Sequence, residues 1–130
     1  MKVLFDDPNF RVALYPLDKV IVATRKASDA GVDDVIASMR SALAVDVSSF
    51  GPHAMILDVR AVVGRNDADF EAATAEMRSV IARRSTRFVT LVATVAGALQ
   101  TRRLASQSGF PMMVASSEEE AFRMARGESV

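Results

Sequence analysis

Residues 58–71 read DVRAVVGRNDADFE, and much of what the chain could use to recognise or transform a ligand is gathered there. Asp58, Asp67, Asp69 and Glu71 are carboxylates that could serve as a general base. Arg60 and Arg65, with Arg102 and Arg103 further along, could converge forked donors on an anion or a phosphate. A base alone does not make an enzyme, and the partners it would need do not accompany it. The single His, His53, follows Pro52 with no nucleophile signature near it, and no strained nucleophile turn is present. Gly51, Gly64, Gly97 and Gly109 stand apart from one another and form neither a dinucleotide fingerprint nor a phosphate loop. The expectation is a non-enzymatic protein with no catalytic residue, no metal and no cofactor.

The same stretch also has a plain structural use. Asn66 and Asp67 precede a helical pattern, and both are favoured N-caps whose side-chain oxygens accept from backbone N–H groups. A carboxylate there also suits the positive end of the helix dipole. Capping and recognition are compatible, so Arg60, Arg65, Asn66, Asp67, Phe70, Glu71 and Arg102 remain the candidate partner- or ligand-binding residues.

Composition narrows the function classes further. The 130 residues suit one domain, able to bury about two thirds of the surface its unfolded chain would expose. Half of the residues are hydrophobic and 25% are charged, as in ordinary globular domains. Sixteen basic residues balance sixteen acidic ones, so no net field favours nucleic acid, and none is expected as a partner. Cysteine is absent, which removes disulfides and thiolate ligands. The first ten residues lack a signal-peptide core, and the uncharged run at residues 88–100 falls short of the ~20 residues a membrane span needs. A cytoplasmic location without a membrane span is expected.

Two periodicities alternate along the chain. Residues 10–15 and 20–24 are apolar runs separated by a break containing Pro16, which predicts an antiparallel hairpin. Val32, Val35, Ile36, Met39 and Leu43 then form one helical stripe, with Ser28 or Asp29 as the expected cap and an end near Val45. Residues 54–59 read as a buried strand. Phe70, Ala73, Met77, Val80 and Ile81 make a second stripe. Residues 88–93 and 112–115 read as strands around a helix at 98–107, and either Ser116 or Ser117 caps a closing helix. Met39, Met55, Met77, Met112 and Met124 lie on these stripes as core residues, in preference to an adaptable ligand cavity.

The element order β-β-α-β-α-β-α-β-α predicts a single α/β domain. Its sheet is mixed and five-stranded, opening with an antiparallel hairpin and continuing with parallel strands joined through four helices. Sites in such sheets gather at the carboxyl ends of the parallel strands. The Arg65-Asn66-Asp67 turn belongs to that edge.

Taken in order, the hairpin, the segment MILDVRAVV, the polar turn into a helix, the segment FVTLVATVAGALQTRRLASQSG and the closing MMVASSEEEAFRMA resemble the STAS domain, and in particular its SpoIIAA-like members. The likeness spans about residues 10–126. The resemblance implies the fold of the anti-sigma-factor antagonists, which dock a protein partner around the second helix and are switched by phosphorylation of a Ser at its start. Asp58 matches the strand Asp, Val62 the following Val, and Asn66-Asp67 the Asp-Ser pair. Asp67 therefore stands at the phosphoacceptor position, with one fixed negative charge where phosphoserine would carry ~1.5 to 2. The implied function is an interaction or regulatory module without a phosphorylatable switch, engaging a protein partner or a second copy of itself. An uncovered hairpin edge would permit a homodimer. The alternative is a domain that binds a small anion or lipid at the carboxyl edge of the sheet.

Overall fold

The computed structural model describes residues 1–61, 68–108 and 113–128. Among them are six strands and four helices: β1 (Lys2–Asp6), β2 (Phe10–Tyr15), β3 (Val20–Arg25), α1 (Val32–Leu43), β4 (Ala54–Asp58), α2 (Ala68–Arg84), β5 (Phe88–Leu91), α3 (Val95–Ser108), β6 (Met113–Ala115) and α4 (Glu118–Ala125). The strands form one sheet in sequence order. β1, β2 and β3 are antiparallel, and β3 through β6 are parallel.

The expected mixed α/β sheet is present, but it has six strands where five were expected. The added strand is β1, which pairs with β2. Its sequence, KVLFD, holds a short apolar trio between charged ends, and it lies at the rim with three of its residues exposed. A strand so placed needs no strong apolar alternation. β1 also covers the hairpin edge that was expected to lie open for a second chain. The outer edge of β1 is blunted by Lys2, Asp6 and an irregularity between Val3 and Phe5.

β2 and β3 pair from Phe10 with Arg25 to Tyr15 with Val20, as the hairpin reading required. The intervening turn places Lys19 at a φ of 55° and leaves Leu17 99% exposed at its tip.

The alternation of side chains along the strands divides the core into two layers. Ile21, Ala23, Met55, Leu57 and Phe88 face α1 and α2, meeting Val35, Met39, Met77 and Ile81. Val20, Ala54, Ile56, Val89 and Leu91 face the other way, toward Ala121 and Ala125 of α4. Ala98 of α3 packs on Val114, which points away from its α4-facing neighbour Ala115. Successive parallel crossovers of one hand, all stepping the same way across the sheet, leave α1, α2 and α3 on a single face. α4 follows the last strand and closes the opposite face, where Phe122 meets Tyr15 edge-on with ring centroids 5.0 Å apart.

Helix starts differ in part from expectation. α1 begins after Gly31, which makes no side-chain cap bond, in place of Ser28 or Asp29. The Ser28 hydroxyl donates instead to Asn9 Oδ1. α3 starts at Val95, earlier than expected, with Thr94 Oγ1 accepting from Gly97 N at 2.9 Å. Of the two serines offered for α4, Ser117 is the cap and accepts from Glu120 N at 3.2 Å.

Candidate functional site at the carboxyl edge of the sheet

β4 lies inside the sheet, with β3 and β5 as neighbours. Every one of its residues is buried, including Asp58 at its carboxyl end, which is 8% exposed. A carboxylate taken that far from water needs compensating donors, and the chain supplies them two residues later. Arg60 gives Asp58 Oδ1 its backbone N–H at 3.0 Å and its Nε–H at 3.1 Å, and gives Oδ2 an Nη2–H at 2.9 Å. The guanidinium is thus held in a bidentate fork while remaining 40% exposed. Glu118, in the first turn of α4, adds a carboxylate oxygen 3.7 Å from the same Nη2. Hydrogen bonding to Asp58, with the charges of Asp58 and Glu118, raises the Arg60 pKa above its ordinary value despite partial burial. Arg60 is a fixed cation throughout the range in which proteins stay folded.

This fork gives the edge a charged group of defined orientation. Val59 continues the order past Asp58 by donating its N–H to Leu91 O at 3.0 Å. α3 and α4 both begin at this edge, and each opens with a capping side chain, Thr94 and Ser117 respectively.

The other expected site residues fall out as follows. Arg65, Asn66 and Asp67 lie outside the described residues, as do Val62 and Gly64. Phe70 and Glu71 belong to the first turn of α2, with side chains outside the description. Arg102 and Arg103 are exposed on α3. Arg102 lies seven residues into that helix, about 10 Å down its axis from the carboxyl edge. Among the described residues, neither Asp58 nor Glu118 makes a hydrogen bond or ion pair with Arg102. The structure therefore brings Arg60 together with Asp58 and Glu118 and places Arg102 apart from them.

Two polar groupings were not singled out in the sequence. One lies beside β2. Asp7 Oδ1 accepts from Asn9 N at 2.8 Å and Phe10 N at 2.7 Å, and Oδ2 accepts from the Ser38 hydroxyl of α1. The Asn9 amide donates to Ser38 Oγ at 3.1 Å, and both of those residues are buried. Burial pushes the Asp7 carboxyl up, but the Ser38 hydroxyl, the two backbone donors and the charge of Lys26 outweigh it and hold the pKa below 3.8. This network pins the β1–β2 turn to α1. Its signal in the sequence is only an Asp and an Asn two apart, which any turn could carry.

The other grouping is at the opposite, amino edge of the parallel strands, around His53. That residue immediately precedes β4 and is 5% exposed. Among the described residues, no group of His, Cys, Asp and Glu is arranged to hold a metal ion, and no helix is long and apolar enough to cross a membrane. No protein-family description, curated protein or solved structure matches the chain.

Proposed function

We propose that the protein is a non-enzymatic interaction module of STAS-like design, whose docking surface is the carboxyl edge of the sheet around Arg60 and the start of α2. The observation that carries this reading is the Asp58–Arg60–Glu118 cluster. A guanidinium fixed before a partner arrives loses less side-chain entropy on docking than a free Arg does. Charged groups of set orientation contribute specificity and encounter rate more than raw affinity, which suits a regulatory contact.

The order of the elements supports the same reading. A strand Asp is followed by a polar turn and a helix, as in the domains that this sequence resembles, and Asp67 occupies the position of their phosphoacceptor Ser. Such a module would hold one charge state and bind constitutively.

The test is affinity capture from native cell extract on the immobilised chain, with identification of what is retained, followed by Arg60→Glu and by the pair Arg65→Glu and Asp67→Lys. The expected result is a retained protein, or a second copy of the chain, lost with either set of changes while the melting temperature stays within a few degrees of wild type. Capture that is unaffected by both sets would overturn the proposal, because the surface would then play no part in binding.

A further inference from the structure

The strands and helices carry opposite charges to opposite ends of the molecule. At the amino edge, Arg83 and Arg84 end α2, Lys19 closes the β2–β3 turn, and Arg87 precedes β5. Arg126, the C-cap of α4, joins them through Asp18 of the same turn, its Nη1 3.1 Å from that carboxylate. Pairing around the start of β4 makes the row continuous, because Lys19 O accepts from Ala54 N at 3.0 Å and Arg87 O from Met55 N at 2.9 Å. Among the described residues, Lys19, Arg83, Arg84 and Arg87 have no carboxylate partner. The carboxylates of this edge are engaged elsewhere. Asp18 and Glu128 both meet Arg126, and Asp46 Oδ1 accepts from Ser48 N at 2.9 Å and Ser48 Oγ at 2.6 Å.

The carboxyl edge has the opposite sign. Asp33 and Asp34 open α1, Glu118, Glu119 and Glu120 open α4, and Asp58 ends β4, against the cations Arg25, Lys26 and Arg60. The chain is neutral in sum, with sixteen charges of each sign. Its ends are nevertheless far apart, since α2 alone spans 17 residues, about 25 Å. That is about three Debye lengths at physiological salt, so neither end cancels the other for a molecule that approaches it.

Helix dipoles account for the acids in the first turns and for Arg83 and Arg84 in a last turn. They leave Lys19 and Arg87 unexplained, since one lies in a turn and the other before a strand. Lys19 holds a φ of 55°, a conformation that Gly adopts with less strain. The Arg87 guanidinium lies over Gly127, where a Cβ would come within 2.6 Å of it, so the end of α4 leaves it room. Both cations are exposed, and they fit an acidic surface. The carboxyl edge of a second copy is such a surface, and zero net charge leaves no overall repulsion to hold copies apart. We propose that copies of this chain associate head to tail, the amino edge of one seated on the carboxyl edge of the next; this rests on the reading of the carboxyl edge as a docking surface and names its occupant. Leu17, 99% exposed at the tip of the hairpin, adds an apolar contact from the amino edge. A contact between unlike edges leaves one of each free, so it builds open rods in preference to a closed dimer.

The test is sedimentation velocity on the full chain, in a concentration series up to about 500 μM at about 20 mM and about 500 mM salt. Wild type is expected to grow past the dimer with concentration at low salt and to return to monomer at high salt. Two variants reverse charge at exposed residues of opposite edges, Lys19→Glu with Arg87→Glu and Asp33→Lys with Asp34→Lys. Each alone should associate at least ~10-fold more weakly than wild type. Their equimolar mixture should recover association, because each reversed edge then meets its complement. Thermal melts by circular dichroism check that both variants fold, and the wild-type salt and concentration series decides without them if they do not. The proposal is overturned by a wild type that stays monomeric at low salt, by assembly indifferent to salt or to either variant, or by a mixture no larger than its components. Monomeric wild type together with an Arg60-dependent protein captured from extract would refute the head-to-tail contact and leave the carboxyl-edge reading standing. Capture indifferent to Arg60 would refute that reading instead.

Discussion

Asp58→Asn is the sharpest probe of the carboxyl edge, because it keeps the shape of the side chain and removes its charge. In the wild type, Oδ1 takes two N–H groups and Oδ2 one, all from Arg60. An Asn retains one oxygen for the backbone N–H and Nε–H, but turns an amide NH2 toward the Nη2–H, donor against donor. The side-chain share of the loss is reduced by solvent, since the Arg60 side chain is 40% exposed, and is about 0.2–1 kcal/mol. Weakening the backbone bond removes about another 0.5–1 kcal/mol, and a buried amide donor left without a partner costs about 1 kcal/mol. The expected destabilisation is about 2 kcal/mol, equivalent to a fall of roughly 7 °C in Tm for a chain of this length. Calorimetry of wild type, Asp58→Asn, Arg60→Ala and the double variant supplies a complete cycle. Direct neighbours should show a coupling of about 1 kcal/mol. A Tm for Asp58→Asn within about 1 °C of wild type, or a strictly additive cycle, would refute the reasoning that Asp58 organises this edge.

Ile81→Ala should be among the most costly single changes, because Ile81 is 1% exposed and already borders a small apolar void between the helices and the sheet; a loss of about 2–5 kcal/mol is expected, read as a lower urea midpoint at unchanged m. Asp7 should contribute to acid sensitivity. Its folded pKa lies below 3.8, so the unfolded chain takes the proton first, and the stabilisation is present above that value and lost as pH falls through the folded pKa. Asp7→Asn should flatten this part of the stability–pH curve below about pH 4 while lowering stability at neutral pH, whereas an acid limb identical to wild type would count against the role of the Asp7–Ser38 network.

The parts of the fold that were legible in the sequence are those in which one segment's own pattern decides its fate. Residues 54–58 are apolar up to a final Asp because a strand buried on both faces can carry nothing else, and the stripe of α1 is carried by residues that do meet the sheet, Val35 and Met39. β1 escaped notice because a rim strand is held by backbone pairing to β2 and leaves its alternation weak. The cap of α1 was misplaced for a different reason. Ser28 has the right chemistry, but its hydroxyl is committed to Asn9, a contact across 19 positions that no local rule contains.

The same distinction explains which functional groups could be read in advance. Arg60 and Asp58 are two residues apart, so their proximity was certain; what the sequence left open was whether they would repel a common ligand, attract one or satisfy each other. Burial decides that question. Asp58 ends an interior strand and needs donors, and Arg60 is the nearest side chain able to give two in parallel. The amino edge could not be anticipated this way, since Lys19, His53, Arg84 and Arg126 come from separate segments, and Arg84 reaches Leu43 across 41 positions. Its one local trace is His53, a lone imidazole ahead of a fully apolar strand. Backbone pairing explains its position, because His53 O accepts from Thr86 N at 2.8 Å, but that carbonyl is common to every residue type. The imidazole itself lies buried, with Nδ1 2.9 Å from the Gly51 carbonyl and Nε2 without a hydrogen-bond partner among the described residues, an arrangement that no local pattern around residue 53 encodes.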